Sequence, residues 1–213
     1  MTEQKEYTIS IGISILWVFG YYCVILLYSF INMIFWRKFP ENISNWLNII
    51  TIAICSTTYL TMLLRKINLN LWGINWAIIL LGIVCAFVLY LFNCLIDPII
   101  ENIFPTSDAV YQETVSVLKE SPITGFIEVC IIAPITEEIL MRGFVLGMLK
   151  KIYHVGLALL VSTVLFALLH FNMVQTLPAL VSGFLFGLLY IKTESVVTTI
   201  LAHGLYNLLA FYF

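Results

Sequence analysis

The stretch APITEEILMRG at residues 133–143 organises the chain. It places three charged side chains, Glu137, Glu138 and Arg142, in the middle of an apolar run that is long enough to cross a bilayer. A charge at the centre of a membrane helix costs at least ~2.5–3.5 kcal/mol, so such residues normally face other protein or a water-filled cavity. The sequence therefore predicts that the neighbouring apolar segments fold around this cluster and build one buried polar site.

The composition is that of an integral membrane protein. Of the 213 residues, 62% are hydrophobic and only 10% are charged, whereas a soluble domain has about 25% charged residues. The net charge of −2 leaves no basic surface for nucleic acid, so we expect no nucleic-acid partner. A spanning helix needs about 20 apolar residues, and we predict an all-α, polytopic membrane helical bundle with about seven transmembrane helices. The predicted spans are 7–36, 43–64, 71–95, 123–149, 155–171, 177–191 and 195–213.

The longest polar connection, residues 97–122, separates the third predicted span from the fourth. We expect the third span to end before Asp97-Pro98. Tyr111, Val115 and Leu118 then recur at helical spacing, which predicts a short amphipathic helix over 107–120, either lying at the membrane interface or packed as a connector. Residues 1–122 thus hold N-terminal helices and a connector, and residues 123–213 hold the core with the charged cluster, within one structural unit.

Basic residues divide unequally between the two sides of such a seven-span chain. The side of the N-terminus collects six of them and the other side three, so the positive-inside rule predicts a cytoplasmic N-terminus. The six are Lys5, Arg65, Lys66, Lys150, Lys151 and Lys192, and the three are Arg37, Lys38 and Lys119.

Helix geometry separates the two adjacent glutamates. Glu138 and Arg142 are four residues apart, share a helix face and can pair. Glu137 is rotated by about 100° from Glu138 and has no basic residue at helical spacing, so it is the better candidate for a reactive carboxylate. Pro134 removes a backbone hydrogen bond one turn earlier and tends to kink the helix. Glu128 lies about half a turn away from Glu137 in azimuth, toward the outer interface, and we assign it no role.

Three more polar residues fall at the depth of Glu137. At ~1.5 Å per residue, Glu137, His170, His203 and Asn207 each lie roughly 14–21 Å along a helix from its end on one common side of the membrane, near the midplane. His203 and Asn207, four apart, share a face. A lone buried histidine is more often a packed core residue than a catalyst, and a Glu–Arg pair alone is more often structural, but four polar groups at one depth are hard to explain as packing.

These residue types suit the attack of water on an amide carbonyl. A carboxylate in a low-dielectric site can act as a general base near neutral pH, and a histidine beside it can share the proton or hold the water. A second histidine and an amide on one face can donate hydrogen bonds to a developing oxyanion. The GxSxG and HExxH signatures are absent from the sequence. Glu137, His170 and His203 could hold zinc on ligand count, but zinc would occupy every candidate base, so we expect no required cofactor.

Three motifs, in this order along the chain, resemble the motif set of the CPBP family, which contains the CAAX prenyl endoproteases and the bacterial Abi proteins associated with bacteriocin self-immunity. They are Glu137-Glu138-x-x-x-Arg142, Phe166-x-x-x-His170 and His203-x-x-x-Asn207. The resemblance covers about 123–213 and implies a glutamate-dependent intramembrane protease. It implies that Glu137 and His170 activate the water and that His203 and Asn207 stabilise the oxyanion.

The same resemblance implies that Glu138 and Arg142 maintain the site. The implied partners are the lipid bilayer and a membrane-associated peptide or protein substrate, and the implied location is a bacterial plasma membrane, with bacteriocin processing or self-immunity as a setting. Nothing in the sequence indicates a prenylated substrate. The alternative function is a non-catalytic membrane immunity or scaffold protein that binds a membrane-active peptide such as a bacteriocin.

Overall fold

The computed structural model describes residues 9–67 and 75–213, and within these ranges it contains eight helices and no strand. They are α1 (Ile11–Ile34), α2 (Glu41–Leu64), α3 (Trp76–Ile103), α4 (Pro105–Glu120), α5 (122–149), α6 (Val155–Leu168), α7 (Met173–Thr193) and α8 (Val196–Tyr212). The predicted all-α membrane bundle is confirmed, and α4 is the predicted short helix between the third and fourth segments. The predicted starts of the first and third spans lie outside the described residues.

Helix length divides the apolar helices of the described chain into two groups. Four stretches are long and apolar enough to cross a membrane: α1 with its following turn (Ile11–Lys38), α2, α3 and α7. The helices α6 and α8 are apolar but have only 14 and 17 residues. At ~1.5 Å per residue, α6 is about 21 Å long, whereas a hydrocarbon core is ~30 Å thick.

Two predicted helix ends were wrong. The helix α3 continues through Asp97 and Pro98 to Ile103, because a proline removes one hydrogen bond without ending a helix whose next turn is packed, as buried Ile100 shows. The predicted span 155–171 instead ends as a helix at Leu168. The side chain of Asn172 accepts from the N–H of Val174 and caps the start of α7, so the chain reverses in a short turn.

The second half of α5 is the centre of the molecule. Residues 140–149 are all buried and pack against apolar side chains of α1, α2, α6 and α7. A smaller cluster joins α3, α7 and α8 around Leu89, Phe186 and Ala202. The helix α8 approaches the first half of α5 very closely, because a Cβ on Gly204 would lie 2.7 Å from the Cys130 carbonyl oxygen. Small residues at such contacts let membrane helices pack backbone against backbone.

The helix α5 is continuous, but two of its stretches, Ile127–Ile132 and Ile139–Leu146, are π-helical. In a π-helix each N–H donates to the carbonyl five residues back, an arrangement that is rare and often found at functional sites. The N–H of Ala133 accordingly donates to the carbonyl of Glu128. The next donor in this register would serve the carbonyl of Val129, but that position is Pro134, which has no N–H. The Val129 carbonyl is therefore available to another helix.

Candidate active site

Glu138 lies at the centre of a fully buried polar cluster. Its Oε2 is 3.1 Å from Nε of Arg142, and both side chains are 0% exposed. This contact is an ion pair whose angle falls outside hydrogen-bond geometry. Its Oε1 accepts a hydrogen bond from Nδ1 of His203 at 3.0 Å. Glu138 therefore joins α5 to α8 as well as pairing within its own helix.

Arg142 is held on three sides. Its Nη2 donates to the carbonyl of Gly183 on α7 at 3.0 Å, and its guanidinium lies 4.5 Å from the ring centroid of Phe166. A cation over an aromatic face is favourable, and more so where water is excluded. The pair that the spacing of Glu138 and Arg142 predicted is thus present, and it anchors α5 to α6 and α7.

His203 is buried, 4% exposed, between two aromatic rings. The ring of Phe186 stacks on it with centroids 5.1 Å apart, and the ring of Phe166 meets it edge-on at 5.7 Å. Because Nδ1 donates to Glu138, that nitrogen carries a proton and the ring orientation is fixed. The nitrogen that stays available for chemistry is Nε2.

Asn207 is held by the free carbonyl of α5. Its Nδ2 donates to the Val129 oxygen at 2.8 Å, which is the carbonyl that the π-helical register and Pro134 leave without a backbone donor. One N–H and the Oδ1 of the amide remain for other partners. The role of Pro134 is therefore more specific than a kink, because it supplies the acceptor that orients Asn207.

His170 lies in the turn just after α6, and not within a helix as the predicted span placed it. Its Nδ1 donates to the carbonyl of Phe166 at 3.3 Å, which leaves Nε2 as the acceptor of the neutral ring. Phe171, the next residue, has φ 46°, a left-handed conformation that non-glycine residues seldom adopt. Irregular backbone is tolerated at membrane depth where it lines a cavity, and His170 lines one.

The four residues predicted to act on the substrate lie around one cavity of about 510 Å³, whose lining includes Glu137, His170, His203 and Asn207. Glu137 is partly exposed to this cavity, and no hydrogen bond or ion pair within the described residues holds its carboxylate. The two adjacent glutamates therefore differ as their spacing predicted: Glu138 is buried and paired, and Glu137 is open to the cavity. Their roles in a reaction stay predictions.

The side-chain positions give less support to a metal site than to a site for glutamate-activated water. Glu137, His170 and His203 line the same cavity, but in the described part of the chain no three His, Cys, Asp or Glu side chains are grouped closely enough to hold a metal ion. That the activity needs no zinc stays a prediction, which metal analysis of the purified protein can test.

Sequence reasoning missed several residues of the cavity wall. Glu128 lines the same cavity as Glu137, because residues in a π-helix turn through fewer degrees each and shift the azimuth that an α-helix would give. Asn93 and Asp97 of α3 and Tyr206 of α8 line it too. The i, i+4 spacing of Asn93 and Asp97 was a signal for a polar face, since only one face of a membrane helix normally tolerates such residues.

Part of the chain that carries this site is similar to a known protein family. Residues 119–209 match the family model described as type II CAAX prenyl endopeptidase Rce1-like. The resemblance to the CPBP and CAAX protease family is therefore confirmed over residues 119–209, which include all three motifs.

A curated protein is also similar to part of this chain. It is the Bacillus subtilis (strain 168) protein named "Putative membrane peptidase YdiL", which is 31% identical to this chain over 96 residues. The matched region covers 45% of this chain and 39% of that protein. No solved structure matches.

Proposed function

We propose that the protein is an intramembrane endopeptidase that hydrolyses a peptide bond of a membrane-associated peptide by glutamate-activated water. One observation carries the proposal: Glu137 opens onto a cavity that also holds His170, His203 and Asn207, while its neighbour Glu138 is buried and paired. The family match supports the same reaction class. We place the protein in a bacterial plasma membrane with a cytoplasmic N-terminus, and bacteriocin processing or self-immunity is the setting that the Abi resemblance supports.

The first step is attack by water. Glu137 takes one proton from a water molecule as its oxygen adds to the carbonyl carbon, and the electron pair of the C=O bond moves to the oxygen. His170, whose Nε2 is an acceptor, holds the other hydrogen of that water and fixes its direction. The carboxylic acid of Glu137 then gives its proton to the amide nitrogen, and the C–N bond breaks as the oxyanion re-forms the C=O bond. The products are an amine and a carboxylic acid, whose remaining proton passes to Nε2 of His170.

The developing negative oxygen needs donors at fixed positions. Asn207 supplies its second amide N–H, since the first is committed to Val129. His203 supplies Nε2–H, and because Nδ1 also donates, the ring must carry both protons in this state. Glu138 accepts from Nδ1 and fixes the direction of Nε2, so Glu138 and its ion-pair partner Arg142 are positioning residues of the site.

A cleavage assay on purified, bilayer-reconstituted protein tests the proposal. A library of internally quenched, membrane-binding peptides serves as the probe. Glu137→Gln is expected to lower kcat/KM by about 10²–10⁴-fold, whereas Glu120→Gln, on the exposed face of α4 and outside the cavity lining, is expected to leave it unchanged. Equal rates for wild type and Glu137→Gln would refute the mechanism. Tight peptide binding by wild type without any cleavage would instead assign the non-catalytic immunity or scaffold role.

A further inference from the structure

The cavity has a second polar wall, formed by one face of α3. Asn93, Asp97 and Glu101 all line it, and they are spaced four residues apart. Residues at this spacing lie one above the other on a helix, about 6 Å apart along its axis. We call these three residues the α3 stripe. Asn93 contacts Tyr206 of α8, which lines the same cavity. Asp97 and Glu101 lie further along α3, toward its end at Ile103.

One atom of the stripe, the side-chain oxygen of Asn93, lacks a hydrogen-bond partner in the described residues. The side chain of Asn93 is only 6% exposed, and its Nδ2 donates to the hydroxyl of Tyr206, which adjoins Asn207 on α8. Its Oδ1 is buried, and no donor in the described residues reaches it. Leaving a buried acceptor unsatisfied costs free energy. A donor from a ligand in the cavity would satisfy this oxygen.

The charges around the cavity specify the kind of donor. The charged side chains of the lining are Asp97, Glu101, Glu128 and Glu137 on the acidic side and Lys119 on the basic side. Neither Asp97 nor Glu101 forms an ion pair within the described residues. The ammonium of Lys119 lies 5.7 Å from the ring centroid of Phe211. The cavity is therefore acidic, and carboxylates in a half-buried wall attract cationic groups.

We propose that the α3 stripe binds basic side chains of the substrate, so that the protein selects an extended peptide with lysine or arginine two residues apart next to the cleaved bond. This inference rests on the proposed peptidase function. An extended chain advances about 3.3 Å per residue and places every second side chain on one face. Side chains two residues apart are thus about 6.6 Å apart, which matches the ~6 Å spacing of Asp97 and Glu101. Asn93 accepts an N–H of the same segment nearer the reacting bond.

Three internally quenched peptides of one length test this proposal, carrying two lysines, two glutamines or two glutamates at alternating positions beside one cleavable segment. Wild type is expected to prefer the lysine peptide over the glutamine peptide by about tenfold in kcat/KM, or 1.4 kcal/mol. In the double variant Asp97→Asn with Glu101→Gln the ratio is expected to approach one. Glu120→Gln, an exposed acid outside the cavity, is the matched control and is expected to keep the wild-type ratio.

Charge reversal separates loss of recognition from loss of fold. Glu101→Lys is expected to raise the rate on the glutamate peptide several-fold above that of wild type, a gain that a misfolded protein cannot give. If wild type cleaves all three peptides at equal rates, the α3 stripe does not select basic side chains, and the peptidase proposal is unaffected. If no peptide is cleaved, fluorescence anisotropy measures the binding of the labelled peptides to Glu137→Gln protein and tests the stripe without catalysis. Preferential binding of the lysine peptide that is lost when Asp97→Asn and Glu101→Gln are added supports the proposed role of the α3 stripe. Equal binding of the three peptides overturns it.

Discussion

Replacing Glu138 by glutamine tests how the site is held, because this change removes one charge and almost no volume. Arg142, fully buried and 3.1 Å from the lost charge, would be left without its counter-ion. Removing one partner of a buried pair typically costs ~3–5 kcal/mol, which is a large part of the ~5–15 kcal/mol that holds a folded domain together. We therefore expect Glu138→Gln to lower the thermal midpoint of the protein strongly and to reduce its abundance in the membrane.

The chain contains a matched control for this experiment. Glu194 forms a 2.9 Å ion pair with Lys150, but its side chain is 73% exposed. Such pairs are worth less than about 1 kcal/mol. Glu194→Gln, the same chemical change, is thus expected to shift the thermal midpoint little. Glu137→Gln is expected to shift the midpoint equally little while removing activity, since the Glu137 carboxylate forms no hydrogen bond or ion pair within the described residues.

A double variant isolates the charge pair itself. Glu138→Gln combined with Arg142→Gln removes both charges, so no buried charge is left uncompensated, and the amide oxygen of the introduced glutamine can still accept from His203. The double variant is expected to lose about 1–3 kcal/mol less than the sum of the two single losses. The measurement is the thermal midpoint of the monodisperse fraction of each variant in one detergent. Strictly additive losses, or equal losses for Glu138→Gln and Glu194→Gln, would refute the reasoning.

Two further substitutions and one metal analysis test the site. Asn207→Ala removes a proposed oxyanion donor and should lower kcat about 10²–10³-fold with KM little changed; a loss confined to KM would argue against that role. Gly204→Ala places a Cβ 2.7 Å from the Cys130 carbonyl and should reduce both stability and activity, whereas Gly20→Ala, with its nearest neighbour at 3.9 Å, should reduce neither. Active purified protein should hold no stoichiometric metal, and zinc at one equivalent, with activity lost on chelation and restored by zinc, would contradict the glutamate–water mechanism.

Much of the candidate site could be predicted from the spacing of residues along single helices. The pairing of Glu138 with Arg142, and the different environment of Glu137, both follow from helical geometry that the sequence displays directly. The apolar segments likewise predicted the helices, since length and hydropathy determine a membrane bundle more strongly than a soluble fold. The order of the three motifs along the chain predicted the resemblance to the family, which the match over residues 119–209 confirmed.

The rest depended on contacts between distant parts of the chain. The bond between Glu138 and His203 joins residues 65 apart, and that between Asn207 and Val129 joins residues 78 apart. Neither contact has a sequence signal of its own, since each depends on how α8 lies against α5. The π-helical register that turns Glu128 toward the cavity is also set by packing, because intrinsic propensity does not distinguish a π-turn from an α-turn.

The shortness of α6 has a consequence for the surrounding membrane. Four side chains of this helix, Leu157, Leu160, Val164 and Leu168, form an exposed apolar face, yet the helix is about 9 Å shorter than an average hydrocarbon core is thick. Lipid beside it must thin to meet that face, at a cost of fractions of a kcal/mol per ångström of mismatch. We therefore expect acyl-chain length to affect how readily water and peptide reach Glu137, with shorter-chain lipids favouring entry.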